Sequence, residues 1–365
     1  MKTHVLILIT CLHPNGAEYA CLRHIRELLD NRAITVHLIA LTGGQLEDQL
    51  IEYNVKYMIL SRLTLHSIFN LFKFIVNAYS AKYLIHSWMY HANLFALLLF
   101  GFSSSPIILS IRQSLPVIRG LKISTLFVAF ISGLIARIKN PLIIYNSICG
   151  FVDHTEKLLY PSSNIAIVPN TPFMIRSESD FDSFRNDSVI HLLSLARFDQ
   201  AKDFKYMFSL LAYYLKHYNS LIHLDIYGQN ILHYLYPLIH KHYPSIKDYV
   251  SLHSHINDIT IPILSSDIYL STSLWEGFPN SLVSAASAGC IPVCTCSGDS
   301  WSIFKNTAYK LTRDIAKDAI VLNNAFAFAR NTTRSYRSSL FTNDINSFCN
   351  SFATLDSIYK LHFVP

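Results

Sequence analysis

Two basic side chains stand five residues apart in the second half of the sequence, Arg197 and Lys202. Arg197 follows an apolar segment at residues 189–195 that is typical of a buried strand, and Lys202 precedes the helical pattern of residues 204–217. Cations held at the end of a strand suit a nucleotide diphosphate, which gains negative charge when it departs as a leaving group. The spacing therefore predicts an anion-binding site that stabilises a transition state more than a ground state.

A second segment, further along the chain, combines a carboxylate with a turn. Residues 273–282 read Ser-Leu-Trp-Glu-Gly-Phe-Pro-Asn-Ser-Leu, and a small-residue helix and a strand follow at 285–289 and 291–294. The turn at residues 277–280 opens the helix, so its free N–H groups and positive dipole end can face a phosphate and sugar hydroxyls. Glu276 is expected to hold the sugar.

These segments resemble family four of the GT-B glycosyltransferases, a large retaining family. The similarity is strong in the second half of the chain and weaker in the first. The motifs that carry it are, in chain order, Asn15–Glu18, His91–Asn93, Tyr145–Ser147, Val168–Asn170, Arg197 with Lys202, Glu276–Asn280, Ala288–Gly289 and Pro292–Val293. They occur in the family's order and span nearly the whole chain.

The resemblance implies roles for individual residues. Arg197 and Lys202 bind the diphosphate and, with Glu276, form the expected catalytic set. Gly16 lets the backbone approach the diphosphate, and Gly228 borders the base pocket. The other expected donor-binding residues are Arg112, Gly277, Phe278, Pro279, Asn280, Ser281 and Ser284.

Two positions depart from the family's pattern. Ser284 stands where the family usually has a second glutamate that grips the ribose, and a serine offers only one short hydrogen bond there. Arg112 lies near a position where many members have a histidine close to the donor sugar. Its fixed charge suits a phosphate or an acidic acceptor, and the alternative is a solvated cation at the end of a strand.

Alternating strand and helix patterns predict the elements that position these residues. Such alternation is typical of parallel sheets with helices on both faces, which bind ligands at the carboxyl ends of their strands. We predict an α/β fold of the GT-B type, with two Rossmann-like doubly wound domains facing a cleft. The expected parts are an acceptor- and membrane-facing domain at 1–172, a linker at 173–188, a nucleotide-sugar domain at 189–342 and a C-terminal helix across the junction at 343–365.

Composition points to a membrane surface. The chain is 51% hydrophobic and only 15% charged. No acidic residue occurs between Glu52 and Asp153, where nine basic residues are mixed with aromatic ones. We interpret this stretch as a face for anionic lipids, the alternative being scattered solvated cations. The longest apolar run, residues 123–136, is too short to span a bilayer and predicts an interfacial or buried helix.

Other features favour a cytoplasmic protein. The apolar segment Val5–Leu12 resembles a secretory signal, but no cleavage site of small residues follows it. The seven cysteines are odd in number and form no C-x-x-C pair, so we expect reduced, buried thiols. No basic run or binding module predicts nucleic acid as a partner.

Potential metal ligands are interpreted as structural. They are Asp180 with Asp182 in the linker, Cys290 with Cys294 and Cys296, His240 with His242, and His253 with His255. The cysteine spacing matches no zinc pattern. Because Arg197, Lys202 and helix N-termini supply the charge that a metal supplies elsewhere, we predict a metal-independent activity without a cofactor.

The sequence thus predicts a retaining glycosyltransferase with a nucleotide diphosphate donor, a UDP-sugar, that transfers a hexose or N-acetylhexosamine. The expected acceptor is a polyprenyl-linked saccharide at the inner face of a bacterial membrane, in O-antigen, capsule or related polysaccharide synthesis. Retention through front-face attack is implied by the resemblance alone. Two alternatives remain: a nucleotide-sugar epimerase or hydrolase of the same architecture, and a non-catalytic partner of a polysaccharide assembly complex, suggested by Ser284.

Overall fold

A computed structural model shows that the chain forms two compact units. The first unit consists of residues 1–171 and 352–365, and the second of residues 172–351. The predicted linker at 173–188, with Asp180 and Asp182, lies outside the described residues. The structure describes residues 3–31, 34–62, 69, 72, 75, 76, 79, 83–115, 122–170, 189–218, 221–256 and 258–363.

The first unit is built on a parallel sheet with the strand order β3-β2-β1-β4-β5-β6-β7. Its described strands are β1 (Thr3–Ile9), β2 (Ile34–Ala40), β3 (Lys56–Ile59), β4 (Leu84–Trp88), β5 (Ile107–Ile111), β6 (Leu142–Tyr145) and β7 (Ile165–Ile167). Its described helices up to residue 171 are α1 (Gly16–Asp30), α2 (Glu47–Glu52), α3 (Tyr90–Phe100), α4 (Ile123–Lys139) and α5 (Ile148–Lys157).

The central strand β1 shows why its sequence is continuously apolar. Ile7 packs in the cluster that contains Ile25 of α1, whereas Leu6 packs in the cluster of the opposite face with Phe100 of α3. Helices therefore cover both faces of the sheet, and every residue from Val5 to Ile9 is buried. This burial leaves the carboxyl ends of the strands as the place for polar side chains.

The second unit repeats this plan with the strand order β10-β9-β8-β11-β12-β13. Its described strands are β8 (Ile190–Leu195), β9 (Ile222–Tyr227), β10 (Val250–His253), β11 (Ile268–Ser271), β12 (Ile291–Thr295) and β13 (Tyr309–Leu311). The helices from here to the end of the chain are α6 (Phe204–His217), α7 (Ile231–His242), α8 (Thr260–Leu264), α9 (Asn280–Ser287), α10 (Ser300–Ile303), α11 (Ile315–Asn331), α12 (Arg334–Cys349) and α13 (Leu355–Phe363). The prediction of two Rossmann-like units is confirmed.

Helix α6 fixes the position of Lys202. The helix begins after Asp203, whose side chain accepts a hydrogen bond from the backbone N–H of Tyr206 and so satisfies one of the free donors of the first turn. Phe208 and Leu211 are fully buried in the core of the second unit. The cap and the buried residues fix the N-terminus of α6, so Lys202 is held just before the first helical turn.

The C-terminal tail is two helices rather than the single helix predicted for residues 343–365. Helix α12 ends at Cys349, and α13 begins at Leu355, where Ser357 and Thr354 exchange side-chain to backbone hydrogen bonds. Ile345 packs in the core of the second unit, whereas Ile358 packs in that of the first. The apolar residues of the C-terminal tail therefore belong to two different cores.

The cysteines only partly match the prediction of buried thiols. All seven are free. Cys21, Cys290 and Cys294 are buried, whereas Cys296, the residue after the carboxyl end of β12, is exposed.

Over the residues that the structure describes, no helix combines the length and the apolar character needed to cross a membrane.

Candidate functional site

In the parallel sheet of the second unit, strands β9 and β10 are added on one side of β8, and β11 to β13 are added on the other side. Strands β8 and β11 are neighbours, while β9 lies on the other side of β8. Parallel sheets of this kind bind ligands at such a switch point, because the loops there diverge and leave space at the carboxyl edge. The loop after β8 carries Arg197 and Lys202, and the loop after β11 carries Glu276.

Lys202 and Glu276 meet at this switch point. Lys202 Nζ donates a hydrogen bond of 2.5 Å to Glu276 Oε1, and Ser273 Oγ donates to the same oxygen at 2.7 Å. The side chains of Lys202 and Glu276 are 23% and 20% exposed. A cation and a carboxylate thus share a partly shielded place that solvent still reaches. Such a site can bind a ligand that carries both negative charge and hydroxyl groups.

Backbone hydrogen bonds hold the two loops together. The N–H of Leu274 donates to the carbonyl of Ala201 at 2.7 Å. Thr272 Oγ1 donates to the carbonyl of Lys202 at 2.9 Å, and Thr295 Oγ1 donates to that of Ser273 at 2.6 Å. The loops after β8, β11 and β12 are therefore fixed to one another, which restricts the positions that Lys202 and Glu276 can take.

Arg313 adds a charged brace to the same loops. Its Nη1 donates to Asp203 Oδ2 at 2.7 Å and its Nη2 to the carbonyl of Thr272 at 2.9 Å, while its guanidinium carbon lies 5.1 Å from the ring centroid of Tyr206. The backbone of Arg313 has a φ of 70° and is held by its N–H donating to the buried Asp318 at 2.9 Å. One side chain thus connects the residue after Lys202 to the loop that carries Glu276.

Arg197 lies in the same loop as Lys202, but its side chain is directed differently. Its Nη2 lies 3.3 Å from Asp199 Oδ2, and 55% of the side chain is exposed. Asp199 also caps the turn at residues 200–202 by accepting from the N–H of Ala201. Arg197 is therefore an exposed cation at the carboxyl edge, whereas Lys202 is the cation bonded to Glu276.

The turn at residues 277–280 leads directly into α9. Pro279 precedes the helix without a side-chain cap, and the N–H of Asn280 donates to the carbonyl of Phe278. The side chain of Phe278 is buried in the core, which leaves only its backbone for a ligand. Gly298 lies close behind the turn, since a Cβ there would be 2.3 Å from the carbonyl oxygen of Gly277.

The other expected donor-binding residues of this unit differ in their surroundings. Burial raises the pKa of Tyr269, an effect that Ser281 opposes, and the hydroxyl of Tyr269 donates to the carbonyl of Leu195. Ser284 is buried within α9, with 3% of its surface exposed. Gly228 follows β9 so closely beside the neighbouring loop that a Cβ would lie 2.0 Å from the carbonyl oxygen of Ala196.

In the first unit, the loop after β1 brings polar groups to the carboxyl edge. Gly16 is the first residue of α1 and follows Asn15 at the N-cap. Glu18 Oε1 accepts two hydrogen bonds, one from Cys11 Sγ at 3.0 Å and one from Asn15 Nδ2 at 3.4 Å. Its Oε2 is buried and has no hydrogen-bond partner among the described residues.

Arg112 follows β5 and is not the solvated cation that the sequence left open. Its guanidinium carbon lies 4.0 Å from the ring centroid of the buried Trp88, and its Nη1 donates to Asn170 Oδ1 at 3.0 Å. Burial lowers its pKa to about 10. Within the part of the chain that the structure describes, Arg112 Nε and the neighbouring Asn146 Oδ1 are buried without a hydrogen-bond partner.

Residues 175–319 match the family described as Glycosyl transferases group 1. HepE from Anabaena, solved in complex with UDP, has a TM-score of 0.75 and 15% identity, with coverage of 96% of this chain and 99% of that chain. A glycosyltransferase from Rickettsia africae has a TM-score of 0.70 and 14% identity, covering 98% and 96%. The lipopolysaccharide outer core galactosyltransferase WaaB has a TM-score of 0.68 and 14% identity, covering 96% and 99%.

The chain has the GT-B fold. Likeness at these identities shows the fold alone, while the family match lies in the unit that carries Lys202 and Glu276. No curated protein matches the sequence.

Three of the potential metal ligands in this GT-B chain make other contacts. His253 Nε2 lies 2.7 Å from Asp225 Oδ1, and His240 lies in α7 with its ring 4.1 Å from that of Tyr236. Cys290 Sγ donates to the carbonyl of Ile263. No group of three or more His, Cys, Asp or Glu side chains able to hold a metal ion occurs among the residues with described positions.

The sequence did not single out three residues that organise the GT-B second unit. Arg313 and Asp318 lie more than a hundred positions after Asp203, and the hydroxyl of Tyr206 in α6 donates a hydrogen bond to Asp318 in α11. Asp203 was recognisable only as a residue before a helix, which is a common N-cap. The position of Arg313 after the short strand β13 carries no local signal.

Proposed function

We propose that this chain is a retaining glycosyltransferase that transfers a hexose or N-acetylhexosamine from a UDP-sugar to a polyprenyl-linked saccharide. The transfer takes place in cell-surface polysaccharide synthesis of the O-antigen or capsule type. The protein works in the cytoplasm as a peripheral protein on the inner face of the cell membrane. Its partners are the nucleotide-sugar, the lipid-linked acceptor and the anionic membrane surface, and nucleic acid is not among them.

The observation that carries this proposal is the contact between Lys202 and Glu276. The two residues come from loops on either side of a switch point and meet at 2.5 Å, inside the region that matches a glycosyltransferase family. A donor of this class presents two chemical groups to such a site, a diphosphate and a sugar. Lys202 suits the first, and Glu276 suits the second.

The chemistry follows from the charges. When the bond between sugar and diphosphate breaks, negative charge accumulates on the diphosphate, and a fixed cation in a partly shielded site stabilises that charge. Lys202 and the exposed Arg197 provide the cations. Glu276 and the N–H groups at the start of α9 accept from and donate to the sugar hydroxyls. The departing phosphate oxygen takes the proton of the acceptor hydroxyl, which attacks the same face that the diphosphate leaves.

Buried polar atoms in the first unit support a ligand at its carboxyl edge. Arg112 and Asn146 directly follow β5 and β6, and Glu18 lies in the first turn of α1, the helix after β1. Glu18 Oε2, Arg112 Nε and Asn146 Oδ1 are each buried without a hydrogen-bond partner among the described residues. Unpaired buried groups of this kind are costly unless a ligand or water satisfies them. The arrangement supports Gly16 and Arg112 as donor-binding residues.

A donor screen tests the proposal. The thermal midpoint of the purified chain is measured with UDP, UDP-sugars and other nucleotide-sugars, and an increase with UDP-sugars is expected. Transfer is then measured with a lipid-linked saccharide, and the anomeric configuration of the product is determined by NMR. A product with inverted configuration contradicts retention, and donors of another nucleotide contradict the choice of UDP.

The same assay tests independence from metals. Addition of a chelator is expected to leave the transfer rate unchanged, because Lys202 and Arg197 carry the charge that a cation supplies elsewhere. Loss of activity that is restored by a divalent cation contradicts this part of the proposal.

The assay also separates the alternatives. Turnover of the donor without an acceptor indicates an epimerase or a hydrolase. Binding of the donor without transfer across a panel of acceptors indicates a non-catalytic partner, for which the buried Ser284 at the expected ribose position is the motivating observation.

A further inference from the structure

Helix α4 buries small side chains and exposes large apolar ones, the opposite of the usual arrangement of a surface helix. The residues that face the interior of the first unit are all small: Ala129, Ser132, Gly133 and Ala136. At Gly133 the helix approaches its neighbour so closely that a Cβ would lie 2.2 Å from the carbonyl oxygen of Leu158. Small residues allow this close packing, so the inner face of the helix is already occupied by protein.

The large apolar residues of α4 point outward. The exposed ones are Ile123 (86% exposed), Phe127 (65%), Phe130 (37%), Leu134 (37%) and Ile138 (79%). With about 100° between successive residues, these positions fall within one arc of roughly 80°. We call this row of side chains the outer stripe of α4. A long apolar row on the surface is typical of a contact with another molecule or a membrane.

Basic groups flank the outer stripe. Lys122 precedes the helix and is exposed, and Arg137 lies near its end, exposed and with its Nε donating to the carbonyl of Leu159. Lys139 Nζ lies 3.4 Å from the ring centroid of Phe102, which is itself 83% exposed. The whole stretch between Glu52 and Asp153 contains no acidic residue. The outer stripe of α4 is therefore flanked by positive charges, and the surrounding stretch of sequence supplies no carboxylate to neutralise them.

Apolar side chains between cations fit an anionic bilayer better than a second copy of the chain. Lipid headgroups supply negative charge to Lys122 and Arg137 while the acyl boundary accepts Phe127 and Ile138. Two copies joined through this stripe would bring the same cations together without an opposite charge from the surrounding stretch.

We propose that the outer stripe of α4 docks on an anionic lipid bilayer and lies flat in its headgroup region. This inference rests on the proposed function, because a lipid-linked acceptor is found only at such a surface. The docking holds the first unit against the membrane and leaves the inner face of α4 packed on the protein.

The test is flotation of the full chain with vesicles of neutral phosphatidylcholine, with and without phosphatidylglycerol. Wild type is expected to float with the anionic vesicles, less at high salt, and poorly with neutral ones. The double substitution Phe127→Ser with Ile138→Ser removes the centre and one end of the stripe, and roughly a tenfold weaker binding is expected. Flotation of this variant at the wild-type level overturns the proposal.

The matched control is Ile51→Ser with Leu361→Ser. Both residues are exposed helical positions of the same unit, 63% and 80% exposed, and lie outside the acid-free stretch. This variant should float like wild type, and an equal loss in both variants overturns the assignment to α4. Sedimentation without vesicles tests whether a second copy of the chain binds the stripe instead. If wild type is a dimer and the stripe variant is a monomer, docking on lipid is overturned in favour of a second copy.

The thermal shift by UDP-sugar separates this inference from the proposed function. A stripe variant that has lost flotation but still responds to the donor, with a cooperative wild-type melt, supports docking through α4. Flotation that depends on the stripe in a chain with no response to any nucleotide-sugar supports the docking and contradicts the proposed function.

Discussion

Lys202 Nζ and Glu276 Oε1 lie 2.5 Å apart, although 74 residues separate them in sequence. The cation comes from the loop after β8 and the carboxylate from the loop after β11, and the two groups meet at the switch point between these strands. Under the proposed function, a diphosphate at Lys202 and the carboxylate of Glu276 would bind the same ammonium group. We therefore expect substitutions at this pair to impair the site.

Loss of the Lys202 charge should impair transfer. Lys202→Ala is expected to lower kcat/KM roughly a hundredfold, because one fixed donor to a developing negative charge contributes about 3 kcal/mol to transition-state stabilisation. The measurement is the initial rate of transfer at several donor concentrations. Lys205→Ala is the matched control, since it removes the same charge from an exposed site three residues later.

A double substitution tests whether the two residues act together. Lys202→Ala with Glu276→Gln should lose less activity than the sum of the two single losses, because each single change leaves the other member without its partner. Additive losses would show that the contact at 2.5 Å has no role in turnover.

Arg313 should act by positioning the loops. Arg313→Gly and Arg313→Ala both remove the hydrogen bonds to Asp203 and Thr272, and each is expected to weaken donor binding about tenfold. Because φ at this residue is 70°, the alanine variant should also be about 1 kcal/mol less stable than the glycine variant. Calorimetric titration with the donor and thermal melts give the two quantities.

The control for Arg313 is Lys317→Ala, which removes a 76% exposed cation nearby. A glycine variant that keeps the wild-type donor affinity would show that the brace is not needed to hold the Lys202 loop.

Gly228 should tolerate no side chain. In Gly228→Ala the new Cβ would lie 2.0 Å from the carbonyl oxygen of Ala196, so the loop after β8 must shift. We expect a loss of about 2 kcal/mol in the free energy of unfolding, which is typical of a steric overlap with backbone, together with weaker donor binding. Gln229→Ala changes the next residue without adding a Cβ and should behave as wild type in both measurements.

The first unit should lose stability in mild acid. Burial lowers the pKa of His154 to about 4, while its Nδ1 donates to the carbonyl of Gly150 and its Nε2 accepts from the hydroxyl of Tyr90. An unfolded histidine has a pKa of about 6.5. Between these values the unfolded chain binds a proton that the folded chain excludes, so the free energy of unfolding decreases as the pH falls from about 6.5 to about 4.

The expected decrease from this group is about 3 kcal/mol over that window, and none of it arises above the window. Thermal midpoints of wild type and His154→Gln across the pH range measure it, and the variant should show the smaller decrease. His13→Gln, an exposed position in the same unit, should follow wild type. Parallel curves for wild type and His154→Gln would assign the acid response to other groups.

The order of strands and helices was predictable because it is a local property. The apolar segments at residues 189–195 and 291–294 indicated strands, and β8 (Ile190–Leu195) and β12 (Ile291–Thr295) lie at nearly those bounds. The short strands β3, β10 and β13 lie at the sheet edges and contain half-buried or exposed residues, so no continuous apolar segment marks them in the sequence. Their sequences resemble loops for the same reason.

The sequence alone determined the residues that the candidate site offers: the cations at 197 and 202, the carboxylate at 276 and the glycine at 228. Tertiary structure decided how they are used. It paired Lys202 with Glu276, set Arg197 beside Asp199, stacked Arg112 on Trp88 and brought in Arg313 from the loop after β13. Local patterns specify helices and strands, but the partners of a charged side chain depend on which strands become neighbours, and that order is fixed only when the two cores are packed.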